Sequence, residues 1–339
     1  ALSEALESQA GSGGGSDTSV NGYGEIHYND KDPDASGKEG TERVDFHRFI
    51  LEIGHEFTDD IRFYSELEFE HAVLEPEDES VGELKLEQGY VEFDLNRDHR
   101  VQAGLFLMPV GIINESHEPP TFYGVERNQV ESNLLPSTWA ETGGLLKGSV
   151  AGTGLSYDVG IHTGLNSPDG VIEEGVELAA KQPADSFAAT GRLTYTGVSG
   201  LELAASASLQ DDLSQGDETK PADSATLATG HARYNIGGLQ LTALAAGWSV
   251  DGDVADAAED QTGGYLEAAY KPVDSVGVFV RQANEDIYDG GDVDRDTTTV
   301  GVNYWPHPDV VLKLDAQQQD ADNDGNATDS VNAGIGWQF

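Results

Sequence analysis

The stretch IRFYSELEF, residues 61–69, alternates without a break. Ile61, Phe63, Ser65, Leu67 and Phe69 fall on one side, and Arg62, Tyr64, Glu66 and Glu68 on the other. A period of two is the mark of a β-strand with one apolar and one wet face. The same reading holds for LELAASASL (201–209), where Leu201, Leu203 and Leu209 oppose Glu202, Ser206 and Ser208. It holds again for VVLKLDAQQQ (310–319), where Val310, Leu312 and Leu314 oppose Lys313, Asp315 and Gln317.

Sixteen such segments fall near 19–29, 43–57, 61–74, 84–96, 100–108, 143–152, 154–165, 187–197, 199–210, 225–236, 238–250, 262–272, 274–285, 297–306, 309–319 and 330–339. Short connections (TDD, NRDH, GTG, GVSG, GG, PVDS, PHPD) alternate with longer, mostly Asp/Gly-rich ones. An even strand number with alternating short and long connections predicts a transmembrane antiparallel β-barrel, with short periplasmic turns and long outer loops. Closure removes the exposed sheet edges that an open sheet would leave. The chain ends SVNAGIGWQF, with Val331, Ala333, Ile335, Trp337 and Phe339 on one face. A terminal Phe after such alternation resembles the C-terminal signature of bacterial outer-membrane barrels. Phe57, Phe93, Tyr195, Tyr234, Tyr270, Tyr304 and Trp337 sit beside the short turns, which suits an interfacial aromatic girdle.

Composition narrows the function classes. The chain has 339 residues, 41 of them Gly, no Cys and a formal net charge of −44. Without Cys there is no disulfide framework, thiolate zinc cluster or thiol nucleophile. So negative a chain is not a nucleic-acid binder, since phosphate contacts need an excess of Lys and Arg. No apolar run approaches the roughly 18 residues of a membrane helix. No basic leader with an apolar run opens the chain, which reads as a form with its signal peptide removed and both termini periplasmic. Residues 1–17 stand apart: ALSEALESQA suggests a short helix and GSGGGS a flexible linker, ahead of a barrel over 18–339.

The segments at 166–186, 210–224, 251–261, 285–296 and 320–330 carry formal charges of −4, −4, −5, −5 and −4. This is a hydrated, halophile-like acidic surface that also concentrates cations at low salt. The wet strand faces are mixed. Arg48, Arg62, Arg100, Lys147, Arg192, Arg233, Lys271, Arg281 and Lys313 share the lumen side with Glu66, Glu68 and other carboxylates. A barrel of sixteen strands is wide enough to enclose an aqueous channel.

The stretches VDFHRFILEIGHEFTDDIRFYSELEFEHA, LKLEQGYVEFDL, VQAGLFLMPVG and STWAETGG resemble the phosphate-selective porin O/P family of bacterial outer-membrane porins. The resemblance covers roughly residues 40–150 in motif and the rest in strand pattern. It implies a homotrimer of 16-stranded barrels in outer-membrane lipid, with a long third loop folded into the lumen; here that loop is 109–142. The family's anion-selective members carry clustered Arg and Lys towards the constriction. This loop instead carries Glu115, Glu118, Glu126, Glu131 and Glu141 against Arg127 alone. Phosphate selectivity is therefore not transferred. The expectation is a general or weakly cation-preferring porin for ions and small hydrophilic solutes, because acidic rings favour cations. Glu115, Glu118, Glu126, Arg127 and Glu131 would form the constriction, facing the wall arginines. An anion-selective pore using those basic residues is the alternative.

Two other chemistries are weaker. Asp320, Asp322, Asp324 and Gly325 follow the first half of a calcium loop, but position twelve is Val331 instead of a bidentate Glu. His117-Glu118 precedes two prolines, so the helix of an H-E-x-x-H zinc site is missing. No G-x-S-x-G elbow occurs. A barrel hydrolase assembled from separate strands remains the third reading, and no cofactor beyond calcium at the outer loops is expected.

Overall fold

A computed structural model describes residues 17–33, 39–73, 82–176, 178, 180–217, 219–322 and 327–339. The expected helix and linker at the N-terminus lie outside these residues, apart from Asp17, as does Asp324 of the calcium reading.

Sixteen antiparallel strands form one closed barrel in which each pairs with its sequence neighbours and the last returns to the first. They are β1 (Thr18–Pro33), β2 (Thr41–Thr58), β3 (Ile61–Glu70), β4 (Leu84–Asn96), β5 (His99–Leu107), β6 (Ala140–Val150), β7 (Leu155–Thr163) and β8 (Phe187–Tyr195). The second half comprises β9 (Leu201–Gln210), β10 (Ala222–Ile236), β11 (Leu239–Gly252), β12 (Asp260–Val273), β13 (Val276–Tyr288), β14 (Asp292–His307), β15 (Val310–Ala321) and β16 (Thr328–Gln338). Closure extends to the last residue: Phe339 N–H donates to Gly22 O at 2.8 Å, and Gly22 N–H donates back to Phe339 O at 3.0 Å.

The alternation is resolved as inside and outside. On β13, Phe279, Arg281, Ala283, Glu285 and Ile287 are buried, whereas Val278, Val280 and Gln282 point out. Outward apolar side chains meet across strands, as Val280 does with Val300 and Leu312 with Ile335. Leu266 is 67% exposed and Leu314 51%. A continuous belt of such residues would be an aggregation hazard in water and is the expected surface against lipid. Phe57, Phe93, Tyr234, Tyr270 and Tyr304 are likewise exposed, beside the short turns.

The outer ends differ from the sequence reading in one respect. Residues 285–296, read as a loop, are mostly ladder: β13 and β14 pair as far as Tyr288 and Asp292, leaving a turn of 289–291. Asp320 is also a ladder residue, set opposite Asp296. Only Ile287 and Val293 alternate inward there, among many Asp residues, so the apolar period is too weak to announce a strand. The D-x-D spacing there is strand alternation, which puts Asp292, Asp294 and Asp296 on one face of β14.

Candidate functional site

The long connection between β5 and β6 lies against the inner wall. Its base is closed by Asn114, whose Nδ2 donates to Met108 O at 2.8 Å and Trp139 O at 3.0 Å while Oδ1 accepts from Trp139 N–H at 2.7 Å. Met108, Val110, Val130, Leu134, Leu135 and Trp139 then pack with inward Leu244, Trp248, Tyr265, Ala283 and Ile287. Glycine on the wall makes room for this approach. A Cβ on Gly336 would stand 2.2 Å from Pro119 Cβ, and one on Gly277 would stand 2.7 Å from the Tyr123 hydroxyl.

Polar contacts continue along β11 to β15. Trp248 Nε1 donates to Leu134 O (3.0 Å), Arg281 Nη2 to Tyr123 O (2.7 Å) and Asn303 Nδ2 to Phe122 O (3.1 Å). Val125 N–H donates to Asp315 Oδ2 at 2.6 Å. The segment therefore crosses from its origin beside β6 to the opposite wall, held by its own backbone as much as by side chains.

The five residues expected at the constriction have different places. Glu115 stands between Lys147 (3.0 Å) and Arg192, with Asp158 completing the group. Burial pushes its carboxyl up, but Lys147 and Arg192 more than reverse this and hold it well below the usual carboxylate range. Glu126 accepts from Asn29 Nδ2 at 2.8 Å and meets His27 Nδ1 at 3.0 Å. Burial raises the Glu126 pKa, and the His27 bond brings it down to about 2. Glu118 precedes the turn Pro119–Thr121 and has Glu52 as an acidic neighbour. Glu131 is only 1% exposed: it accepts from Ile112 N–H, Ile113 N–H and the Tyr265 hydroxyl at 2.6, 2.7 and 2.7 Å, so it braces the loop internally. Arg127 Nε and Nη2 are buried without a hydrogen-bond partner.

The basic wall residues point inward, and strand register sets carboxylates opposite them. Arg62 faces Glu92, Arg100 faces Asp94, Lys147 faces Asp158, Arg192 faces Asp158, Arg233 faces Glu202 and Arg281 faces Glu267. Side chains close most of these pairs: Arg281–Glu267 at 2.6 Å, Arg192–Asp158 at 2.8 Å, Arg233–Glu202 at 3.8 Å, and Arg62 on Asp94 and Glu92. Arg100 reaches Glu92 at 3.6 Å. Arg48 lies between Glu25 (3.0 Å) and Glu68 (3.5 Å). Glu66 instead accepts from Tyr23 and Gln88 and meets His117 Nε2 at 3.5 Å. Lys313 differs: its ammonium sits 3.5 Å from the Phe122 ring centroid, and Nζ has no hydrogen-bond partner.

Two β-bulges bring in residues that strict alternation hides. Between Glu25 and His27 the partner strand advances from Arg48 to Asp45, and His47 turns inward beside Arg48. Between Glu66 and Leu67 the partner skips from Gln88 to Leu86, and both Glu87 and Gln88 are buried. Bulges re-aim side chains in this way. Glu87 accepts from Thr138 Oγ1 of the inward loop. His27 needed no bulge; it shares a face with Tyr23 and Glu25, and that parity was available in the sequence.

Comparison with known proteins agrees with this geometry. A family model described as phosphate-selective porin O and P matches residues 20–274. A protein of Aquifex aeolicus described as uncharacterized is 30% identical over 95% of this chain and 80% of its own length. Among solved structures, the anion-selective porin from Comamonas acidovorans has a TM-score of 0.66 at 13% identity, covering 95% of this chain and 99% of that one. The outer membrane channel DcaP of Acinetobacter baumannii has a TM-score of 0.66 at 13% identity, covering 97% and 99%. At such identities the likeness shows the barrel, while the family model spans most of the chain. The chain belongs to the phosphate-selective porin O and P family, whose members are outer-membrane channels for small solutes.

Proposed function

We propose that this barrel is a trimeric porin passing ions and small hydrophilic solutes with a preference for cations. The observation that carries the reading is the pairing of the wall. Arg48, Arg62, Arg100, Arg192, Arg233, Arg281 and Lys147 each have a carboxylate within ion-pair distance, so their attraction for anions is largely cancelled. What is left over is acidic: Glu118 on the loop, and outer segments rich in Asp. Surplus carboxylate at a constriction favours cations, and an acidic vestibule raises their local concentration. Size exclusion would come from the inward loop. The trimer rests on the family resemblance.

A second reading has its own observation. Arg127 Nε and Nη2 and Lys313 Nζ are buried without an acceptor, and an anion would supply one. The two readings give opposite signs in one experiment. Reconstituted in planar bilayers under a salt gradient, the protein should show stepwise conductance with a reversal potential on the cation side. A potential on the anion side would overturn the proposal in favour of the second reading.

A further inference from the structure

Near the outer end of β2, three imidazoles and two carboxylates form a line that no ion pair with Arg or Lys requires. Asp45 Oδ2 lies 3.1 Å from His47 Nδ1, and Asp45 Oδ1 lies 2.9 Å from His71 Nδ1. The His47 and His71 rings meet at 72°, so their Nδ1 atoms converge on the carboxylate from different directions. On its other side His47 stacks on His27 at 4.5 Å, and His27 Nδ1 meets Glu126 of the inward loop at 3.0 Å. His27 Nε2 is 3.0 Å from Glu25, the kind of outer carboxylate that orients a metal-bound imidazole.

We propose that Asp45, His47 and His71 form a binding site for a borderline divalent cation of the Zn2+ class, on the pore wall at its outer mouth. Each residue offers one ligand atom, and these atoms lie within 4.8 Å of one another. A tetrahedral ion with ligands at 2.0–2.1 Å spaces its donors roughly 3.3 Å apart, so the contacts already present need little adjustment. The ligand chemistry, two imidazoles and one carboxylate, suits zinc, nickel or copper better than calcium or magnesium, which prefer all-oxygen sets. Side-chain exposures of 28% for Asp45 and His47 and 45% for His71 leave solvent access for a fourth ligand. His27, His47 and Glu126 form a second three-ligand set, so His47 is common to both and an ion has a next station towards the loop. Permeation through a pore favours such adjoining sites over one tight site.

Binding has a proton consequence. Arg48 Nη2 donates to His47 Nε2 at 2.8 Å, which places the His47 proton on Nδ1, facing Asp45. An ion on Nδ1 moves that proton to Nε2, and Arg48 must then release His47 and rely on Glu25 and Glu68. The site is independent of the sign of selectivity, because binding is read without current.

The test uses the tag-free full chain in detergent micelles, titrated calorimetrically with Zn2+ and separately with Ca2+. Zn2+ binding with little or no Ca2+ binding is expected, weakened about tenfold or more by His71→Ala and by His47→Asn. Zinc X-ray absorption on the unsubstituted chain should show imidazole nitrogen neighbours; this reading does not depend on the variants folding. No Zn2+ binding, equal Ca2+ binding, an all-oxygen zinc shell, or unchanged affinity in folded His71→Ala would each overturn the site.

Discussion

At the scale of single residues, selectivity depends on which charges are cancelled. Arg62 is half-buried between Glu92 and Asp94. Replacing it with Ala leaves both carboxylates without that partner, and the reversal potential should move further towards cations. An unchanged potential would show that Arg62 does not face the permeating ions. Asn114 tests packing instead of charge. Its amide serves two carbonyls and one N–H at the base of the loop, all buried. Asn114→Ala should cost about 1–3 kcal/mol through the groups left unpaired, read as a lower urea midpoint in micelles. An unchanged midpoint would mean that the loop base is held by hydrophobic packing alone. The cations that the wall does not match, Arg127 and Lys313, were indistinguishable in sequence from their paired counterparts. Pairing is decided by neighbouring strands and by the loop, which no single segment reveals.

At the scale of elements, the inward loop is tied by a carboxylate whose pKa is lowered and a histidine whose pKa is raised. Glu126 is held at about 2, below its ordinary value of 4.5, so its contribution is complete above 4.5 and is lost as pH falls through about 2. For His117, burial pushes the pKa down, but the bond to Glu66 reverses this and leaves it raised. Its contribution is complete below the ordinary value of 6.5 and fades as pH rises through the higher folded value. Docking is therefore firmest between about 4.5 and 6.5. Single-channel closures should be rarest in that window and become frequent as pH approaches 2. A closing rate independent of pH down to 2 would contradict the tie. The strands themselves were legible because lipid on one side and water on the other impose a period of two on Ile61–Glu70 and its fifteen counterparts. Legibility failed in two places. Past Glu285 only Ile287 and Val293 keep the apolar period among many Asp residues, so the β13–β14 ladder has a weak signature. At the bulges, His47 and Arg48 both turn inward, as do Glu87 and Gln88, and alternation assigns one of each pair to the wrong face.

At the scale of the molecule, closure explains why so acidic a chain can keep a charged interior. Register sets an acid opposite nearly every inward base, so the wall carries a transverse field with little net charge of its own. The excess negative charge then resides on the loop and the outer ends, where salt can reach it. Screening provides the discriminating variable: the Debye length is ~10 Å at 0.1 M salt and ~3 Å at 1 M. The most direct measurement is the bilayer reversal potential at these two ionic strengths under the same concentration ratio. Cation preference at the lower strength, shrinking at the higher one, is expected. Anion preference at both would contradict it.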